Sequence, residues 1–320
     1  MTVNLPGGGA VNLGHCDIKA HYTQVRGFVG ESKMRFSERT LAGMIASDFD
    51  RIANQYERLQ ATLSDRASAR LVGFAGVSEG QTVLDIGTGT GSAAFAAARL
   101  VGPRGLVTGI DVSNGMLSVA SRKAASQELS NLRFIMMDAS LLEFGGCSFD
   151  VVISNLGIPT YRFHDAVSEA FRVLKTGGSF CFAEFTGLPP AWFSLSKVLS
   201  KFAVKRAPPE LQRRRQARAQ MAKEAAKFPL SSFSGVLKSV GFVHLQTSVY
   251  GITVPQPPSN LYLRYLITRE RLEYDAMPKE TKRQFREEMM RRLEDLRGGS
   301  SGKLERRVRF WLAQRPNPES

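Results

Sequence analysis

The stretch VLDIGTGTGSAAFAAARL (Val83–Leu100) sets three glycines, Gly87, Gly89 and Gly91, between a short apolar run and an alanine-rich segment. Thr82–Leu84 reads as a buried strand, and Ala93–Leu100 as a helix built from strong helix formers. Glycine tolerates positive φ and has no Cβ, so the turn between them can bend sharply and let a ligand lie against the main chain. A turn of this kind at a helix N-terminus commonly receives an anion, and GTGSAA matches the last part of a dinucleotide fingerprint with alanine in the third place. Asp85, directly before the turn, opposes a pyrophosphate there. Two like charges about 4 Å apart cost on the order of 1–4 kcal/mol. A cationic ligand reverses that sign.

The next segments extend the pattern. GLVTGIDVSNGMLSVA (Gly105–Ala120) is a second strand ending in Asp111, where a carboxylate can accept hydrogen bonds from ribose hydroxyls, a device that nicotinamide enzymes share. NLRFIMMDAS gives a third strand ending in Asp138, and SFDVVISNLGIP a fourth, Val151–Ser154. DAVSEAFRVLKTGGSFCFAEFTG reads as a helix ending at Leu174, a Gly-Gly turn at 177–178 and a fifth strand, Ser179–Phe185. Strand alternating with helix in this way predicts an α/β fold, a doubly wound and mostly parallel sheet covered on both faces.

The spaced set Asp85-x-Gly87-x-Gly89-x-Gly91, followed by carboxylates at the next two strand ends, resembles the class I S-adenosylmethionine-dependent methyltransferases. Their cofactor carries a sulfonium and an ammonium group and no phosphate, in keeping with Asp85. The resemblance implies a Rossmann-like sheet of seven strands and S-adenosylmethionine as cofactor. It implies a binding set of Asp85, Gly87, Thr88, Gly89, Gly91, Asp111, Val112, Met116, Asp138, Ala139 and Asn155. In that set Asp111 would meet the ribose, Asp138 the adenine amino group, and Met116 the face of the base. FDRIANQYERL (Phe49–Leu59) and EAFRVLKTGG…FAEFTG narrow the resemblance to the ubiquinone/menaquinone C-methyltransferases and their type 11 relatives, over roughly residues 48–187. Two segments depart from it. NLGIPTYRF stands where those enzymes carry an Arg-Asn pair, and LLEFGG replaces a Leu-Pro-Phe-type run. The resemblance implies an acceptor that is small and hydrophobic or lipid-like, quinone-like or a secondary metabolite, methylated on carbon or oxygen, while the two departures count against a quinone itself. An RNA methyltransferase and a cofactor-binding accessory protein without turnover are the alternatives.

Composition divides the rest of the chain. Residues 1–40 open with PGGGAVNLGH and read as a flexible segment, and 41–187 as a helical lead-in (41–75) plus the cofactor-binding core. Residues 188–230 form a basic helical cap. Within it Trp192, Leu195, Leu199 and Phe202 share one helical face, and Lys197, Lys201 and Lys205 share another. A second basic helix after Pro208-Pro209 carries Arg213, Arg214, Arg215, Arg218, Lys223 and Lys227. Residues 191–230 hold ten Lys+Arg against two Asp+Glu, so more than half of the chain's formal +14 is concentrated there. Three readings fit: a cap solvated on its outer side, a peripheral contact with anionic lipid, or a phosphate-binding surface. Nucleic acid is the least favoured, since no aromatic stacking pattern accompanies the charge.

Residues 231–320 complete the sheet. SFSGVLKSVGFVHLQTSVYGITV gives a helix and a sixth strand separated by Gly241. Pro255, Pro257 and Pro258 forbid an immediate seventh strand. Residues 257–297 instead read as helices, either a lid or an interaction arm of the kind that makes a dimer. The last strand then falls at 304–315, with Val308, Phe310 and Leu312 on one face.

No apolar run reaches the ~18 residues of a membrane span, and the N-terminus lacks a signal-peptide layout, so a cytoplasmic enzyme is expected. Cys16, Cys147 and Cys181 show neither metal nor redox spacing, which suggests a reducing compartment and counts against arsenic chemistry; Cys181 reads as core. His15, Cys16 and His21 read as structural or solvated, so no metal is expected. A carbon or phenolic acceptor needs a base, and Tyr56, Tyr161 and His164 are the catalytic candidates. Tyr56 could also offer its ring to a sulfonium, worth about 0.5–2 kcal/mol.

Overall fold

The computed structural model describes residues 2–4, 10–12, 31–187, 190–226, 232–298 and 303–317. After a ribbon pairing Thr2–Asn4 with Ala10–Asn12, helix α1 (Glu31–Phe74) leads to β1 (Thr82–Ile86), α2 (Ser92–Val101), β2 (Leu106–Asp111) and α3 (Asn114–Ser126). There follow β3 (Leu132–Met136), β4 (Phe149–Asn155), α4 (Phe163–Val173) and β5 (Leu174–Phe185). Helices α5 (Pro190–Lys201), α6 (Pro209–Ala226) and α7 (Ser232–Val240) precede β6 (Val243–Pro255). Helices α8 (Ser259–Arg269), α9 (Arg271–Ala276) and α10 (Lys279–Gly298) then lead into β7 (Lys303–Gln314).

The seven strands form one sheet in the order β3-β2-β1-β4-β5-β7-β6. Strands β1 to β5 pair in parallel, and β7 runs antiparallel between β5 and β6. This is the doubly wound, mostly parallel sheet that the sequence predicts. Strand order reverses between β1 and β4, a switch point of the kind at whose carboxyl ends such sheets bind ligands.

Local differences have physical reasons. Helix α1 begins at Glu31, inside the segment read as flexible, and runs without a break to Phe74. Strand β3 ends at Met136, two residues short of Asp138. The glycines at 177–178 lie inside β5, not before it. Leu174 pairs with Phe149 and Ser179 with Val151, so the intervening residues bulge, and Gly177 takes φ 73°. Between β3 and β4 the alternation fails, because residues 137–148 form no helix. Their backbone is satisfied by side chains instead. Glu169, 1% exposed, accepts from the Leu142 N–H at 2.7 Å, and Arg172 donates to the carbonyls of Leu142 and Phe144 at 2.8 Å each.

Three apolar clusters result. Leu63, Ala67 and Leu71 of α1 and the alanines of α2 cover one face of the sheet, against Val83, Val107 and Phe310. Phe163, Phe233 and Leu237 of α4 and α7 cover the other, against Leu84, Val152 and Phe180. The third lies beyond the sheet. Leu195 and Val198 of α5, Leu263 and Leu266 of α8, and Phe285 and Met289 of α10 close on Ile52 and Ala53 of α1 and on Met116 and Val119 of α3. Burying each of these larger side chains contributes about 1.5–3 kcal/mol. The helices read as a lid or an interaction arm are thus folded onto the core through α1, α3 and α5. Helix α1, 44 residues and roughly 66 Å long, joins lid to sheet.

Candidate cofactor and acceptor site

The glycine turn after β1 is held in a shape that only glycine adopts without strain. Gly87, Gly89 and Gly91 have φ of 65°, 56° and 91°. A Cβ on Gly87 would stand 2.7 Å from Gly157 Cα, and one on Gly91 2.6 Å from the Phe95 ring. A Cβ on Gly89 would meet no protein atom within 4 Å, so the turn opens outward there. The Thr88 N–H donates to the Ile110 carbonyl and the Gly89 N–H to Asp111 Oδ2, both at 2.9 Å. The Thr88 hydroxyl donates to Asp85 Oδ2 at 2.6 Å.

Asp85 is fully enclosed, and burial pushes its carboxyl up to about 7; Thr88 and the Ala94 N–H oppose the rise, while nearby Asp111 adds to it. Its Oδ1 is buried without a hydrogen-bond partner among the described residues. Asp111 uses Oδ1 to accept from the Ser113 N–H, 2.9 Å. Burial raises Asp111 as well, against the N–H groups of Ser113, Gly89 and Val112, and Asp50 contributes further. Asp50 reaches in from α1, accepting from Ser113 Oγ at 2.6 Å and from the Gly115 N–H at 2.7 Å. Sequence reasoning missed it, although it stands inside the quoted FDRIANQYERL.

Beyond β3, Asp138 accepts from the Ser140 N–H and hydroxyl at 2.9 and 2.8 Å and from Arg162 at 2.8 Å. Ala139 is half-buried beside it, against the second cluster. Tyr161 lies near this pair: burial raises its phenol, Arg162 opposes and Asp138 adds. At the end of β4, Asn155 Nδ2 donates to Ser64 O (3.1 Å) and Ser68 Oγ (2.8 Å) of α1, while its buried Oδ1 has no partner among the described residues. Val112 is half-buried after β2. Met116 is 2% exposed in the lid cluster, packed against α1.

Tyr56 stands between the core and the lid. Burial pushes its phenol up to about 12, with Tyr265 of α8, Asp111 and Glu57 adding and Ser64 opposing, and Phe49 meets its ring edge-on at 6.1 Å. It stays protonated at neutral pH and cannot serve there as a base. His164 falls outside the constellation. Helix α4 buries Phe163, Ala166, Val167 and Ala170, which turns His164 and Asp165 to solvent, 3.8 Å apart. Asp165 raises the imidazole by hydrogen bonding, partly against burial.

The cap differs from its lipid-facing reading. Leu195 is 3% exposed, and Leu199 and Phe202 pack beside it in the lid core, so this apolar face is spent inside the protein. Arg214 and Arg218 pair with Asp48 of α1, Arg218 also pairs with Glu270, and Arg215 grips Glu273 at 2.6 and 3.0 Å. Lys197, Lys201 and Lys205 remain exposed. Among the described residues no helix is long and apolar enough to cross a membrane, and no group of His, Cys, Asp or Glu could hold a metal. Cys181 is buried in β5. His15, Cys16, His21, the Trp192 side chain and Lys227 lie outside the described residues.

A sequence family described as a methyltransferase domain matches residues 77–232. The chain is 31% identical over 159 residues to aklanonic acid methyltransferase DauC of Streptomyces sp. (strain C5), covering 47% of this chain and 72% of that protein. It is 39% identical over 137 residues to demethylmenaquinone methyltransferase of Staphylococcus aureus, covering 41% of this chain but only 55% of that protein. A solved structure of phosphoethanolamine N-methyltransferase 2 from Haemonchus contortus, in complex with S-adenosylhomocysteine, is similar at a TM-score of 0.49 and 20% identity, over 84% of this chain and 58% of that one. On the extent of the first of these relationships, the chain belongs to the class I S-adenosylmethionine-dependent methyltransferases, in their type 11 group, and its cofactor is S-adenosylmethionine.

Proposed function

We propose that this protein methylates a small hydrophobic acceptor, quinone-like or a secondary metabolite, in a chamber between the strand ends and the helical lid. One observation carries this reading. At the carboxyl rim of the sheet an outward-opening Gly89 sits with two buried oxygens, Asp85 Oδ1 and Asn155 Oδ1, that have no partner among the described residues. A cationic ligand suits both. The residues present fit the cofactor: Gly87 to Gly91 would cradle it, Asp111 would hold the ribose, Asp138 and Ala139 would flank the adenine, and Asp85 and Asn155 would face the amino-acid end. When bound, S-adenosylmethionine supplies an electrophilic methyl group whose departure leaves a neutral thioether.

The chain's own part is then positioning and exclusion of water. Aligning two reactants can lower a barrier by roughly 7–11 kcal/mol. Tyr56, held protonated between Asp111 and Tyr265, would orient ligands by donating a hydrogen bond and presenting its ring. Tyr161 would stand beside the Asp138 corner. The names of the relatives, acting on aklanonic acid and on demethylmenaquinone, support a small organic acceptor over RNA. So does the cap, whose apolar face and three arginines are used internally. The same features speak against docking of this apolar face on a membrane.

Incubation with methyl-labelled S-adenosylmethionine and separate small-molecule, lipid and RNA extracts tests this. Label is expected in the small-molecule fraction. Label in RNA, or cofactor binding with no transfer in any extract, would reject the proposal.

A further inference from the structure

Arg306 lies in the first part of β7 at the same rim, because β7 runs antiparallel to β5. Phe185 pairs with Val308 and Ile252 with Arg306, which places Arg306 just past the end of β5 on the face it shares with Val308. Its guanidinium carbon lies 4.5 Å from the centre of the Phe185 ring. Nε and Nη1 are both buried, and neither has a hydrogen-bond partner among the described residues. Burial draws this arginine's pKa down, and the neighbouring Tyr262 opposes that.

The surroundings are aromatic and close to the proposed chamber. Tyr262 of α8 stacks on Tyr265 at 5.9 Å and 19°, and Tyr265 bears in turn on Tyr56. Asn155 pairs in register with Ala183, two residues before Phe185 on the same face, so its unpartnered Oδ1 borders this region. Burying two donors of a half-buried guanidinium without partners is costly unless an anion completes them.

We infer that Arg306 recognises the acceptor, and that the acceptor is an aromatic compound bearing an anionic oxygen, a carboxylate or an ionised phenol. The inference rests on the methyltransferase reading and names the substrate class of that site. It also accounts for the chemistry. Tyr56 stays protonated and His164 faces solvent, whereas an acceptor that arrives as an anion needs no base.

Calorimetry on the full chain tests this, with 2-naphthoate and its neutral counterpart 2-naphthamide titrated into protein saturated with S-adenosylhomocysteine. Wild type is expected to prefer the carboxylate, and Arg306→Gln to bind it at least about tenfold more weakly, as loss of a charge-assisted contact implies. Amide binding and S-adenosylhomocysteine affinity should stay unchanged, and the latter certifies the variant's fold. Should the Gln variant not fold, Arg306→Lys keeps the charge without the planar fork and is expected to bind the carboxylate at least about threefold more weakly. Wild type with no preference for 2-naphthoate, or variants with unaltered carboxylate binding, would overturn the assignment. Loss of S-adenosylhomocysteine binding on substituting Arg306, with 2-naphthoate unaffected, would give Arg306 to the cofactor's own carboxylate and overturn it as well. Failure of wild type to bind S-adenosylhomocysteine would instead overturn the methyltransferase reading beneath it.

Discussion

Asp85→Asn separates ligand electrostatics from fold stability. In the free protein Asp85 is fully buried, with one oxygen bonded to Thr88 and the other without a partner among the described residues. Its carboxyl rises from 3.8 to about 7, so its ionised form weakens the folded state. The sign follows from linkage: this group's contribution to stability is complete below 3.8 and is lost as pH climbs through about 7. At pH 8 the penalty is at most about 4 kcal/mol, since each pKa unit is worth about 1.4 kcal/mol, and at pH 5 it falls below about 2 kcal/mol. Asparagine has the same shape and no charge, and the Thr88 hydroxyl can turn to accept from it. The variant without ligand is expected to melt several degrees above wild type at pH 8, at roughly 2 °C per kcal/mol for a chain of this size. The gap should narrow at pH 5. S-adenosylmethionine affinity should move the other way, falling in the variant, and in wild type falling as pH drops below about 7 and Asp85 takes up a proton. Scanning calorimetry at the two pH values, paired with titration of the cofactor, reads both. A variant no more stable than wild type at pH 8, or a gap that widens at pH 5, would refute the reasoning.

Other outcomes follow from the same geometry. S-adenosylhomocysteine is expected to raise the melting temperature by mass action and NAD to leave it unchanged; stabilisation by NAD alone would reverse the reading of Asp85. Asp111→Ala should weaken S-adenosylhomocysteine binding by about 30- to 1000-fold, the equivalent of about 2–4 kcal/mol for two charge-assisted bonds. Because Asp111 also receives the Gly89 and Ser113 N–H groups, the melting temperature should fall too, and a near-normal dissociation constant would remove it from the site. Replacing Lys197, Lys201 and Lys205 together by Gln is expected to leave liposome sedimentation and the salt dependence of RNA binding unchanged, since the apolar face beside them is buried. A clear loss in either assay would restore the discarded surface role.

What was legible in the sequence was what is local. The glycine spacing, the carboxylate at the end of β2 and the late antiparallel strand each rest on neighbours within a few residues, and all are present, while Asp138 falls two residues beyond its strand. What was not legible depends on partners far along the chain. Asp50 clasps Ser113 and Gly115, and Asn155 is tied to Ser64 and Ser68, so helix α1 closes the site through contacts that span 63 to 91 positions. The cap shows the same limit. Leu195, Leu199 and Phe202 mark one apolar face correctly, but a stripe that packs on a lid reads the same as one that enters lipid. Arg306 did leave a signal. It falls in phase with Val308, Phe310 and Leu312, and a charge in step with a buried face asks what neutralises it.

That question reaches beyond one arginine. Asp85 near the end of β1, Asn155 at the end of β4 and Arg306 in the first part of β7 all stand at one rim of the sheet, each with a buried polar atom lacking a partner among the described residues. Each such atom costs about 1–3 kcal/mol in the free protein. Their signs differ along the rim. Asp85 and Asn155 offer oxygens on the strands next to the glycine turn, and Arg306 offers N–H groups two strands further on, past β5. With Arg306 reading the acceptor, a cationic cofactor and an anionic acceptor bound side by side would satisfy both sets. Binding of the first should therefore leave most of the Arg306 cost in place for the second to relieve. Order of addition then has a thermal signature: a cationic cofactor alone raises the melting temperature partway, and an anionic aromatic acceptor raises it again, with Arg306→Gln abolishing only the second rise.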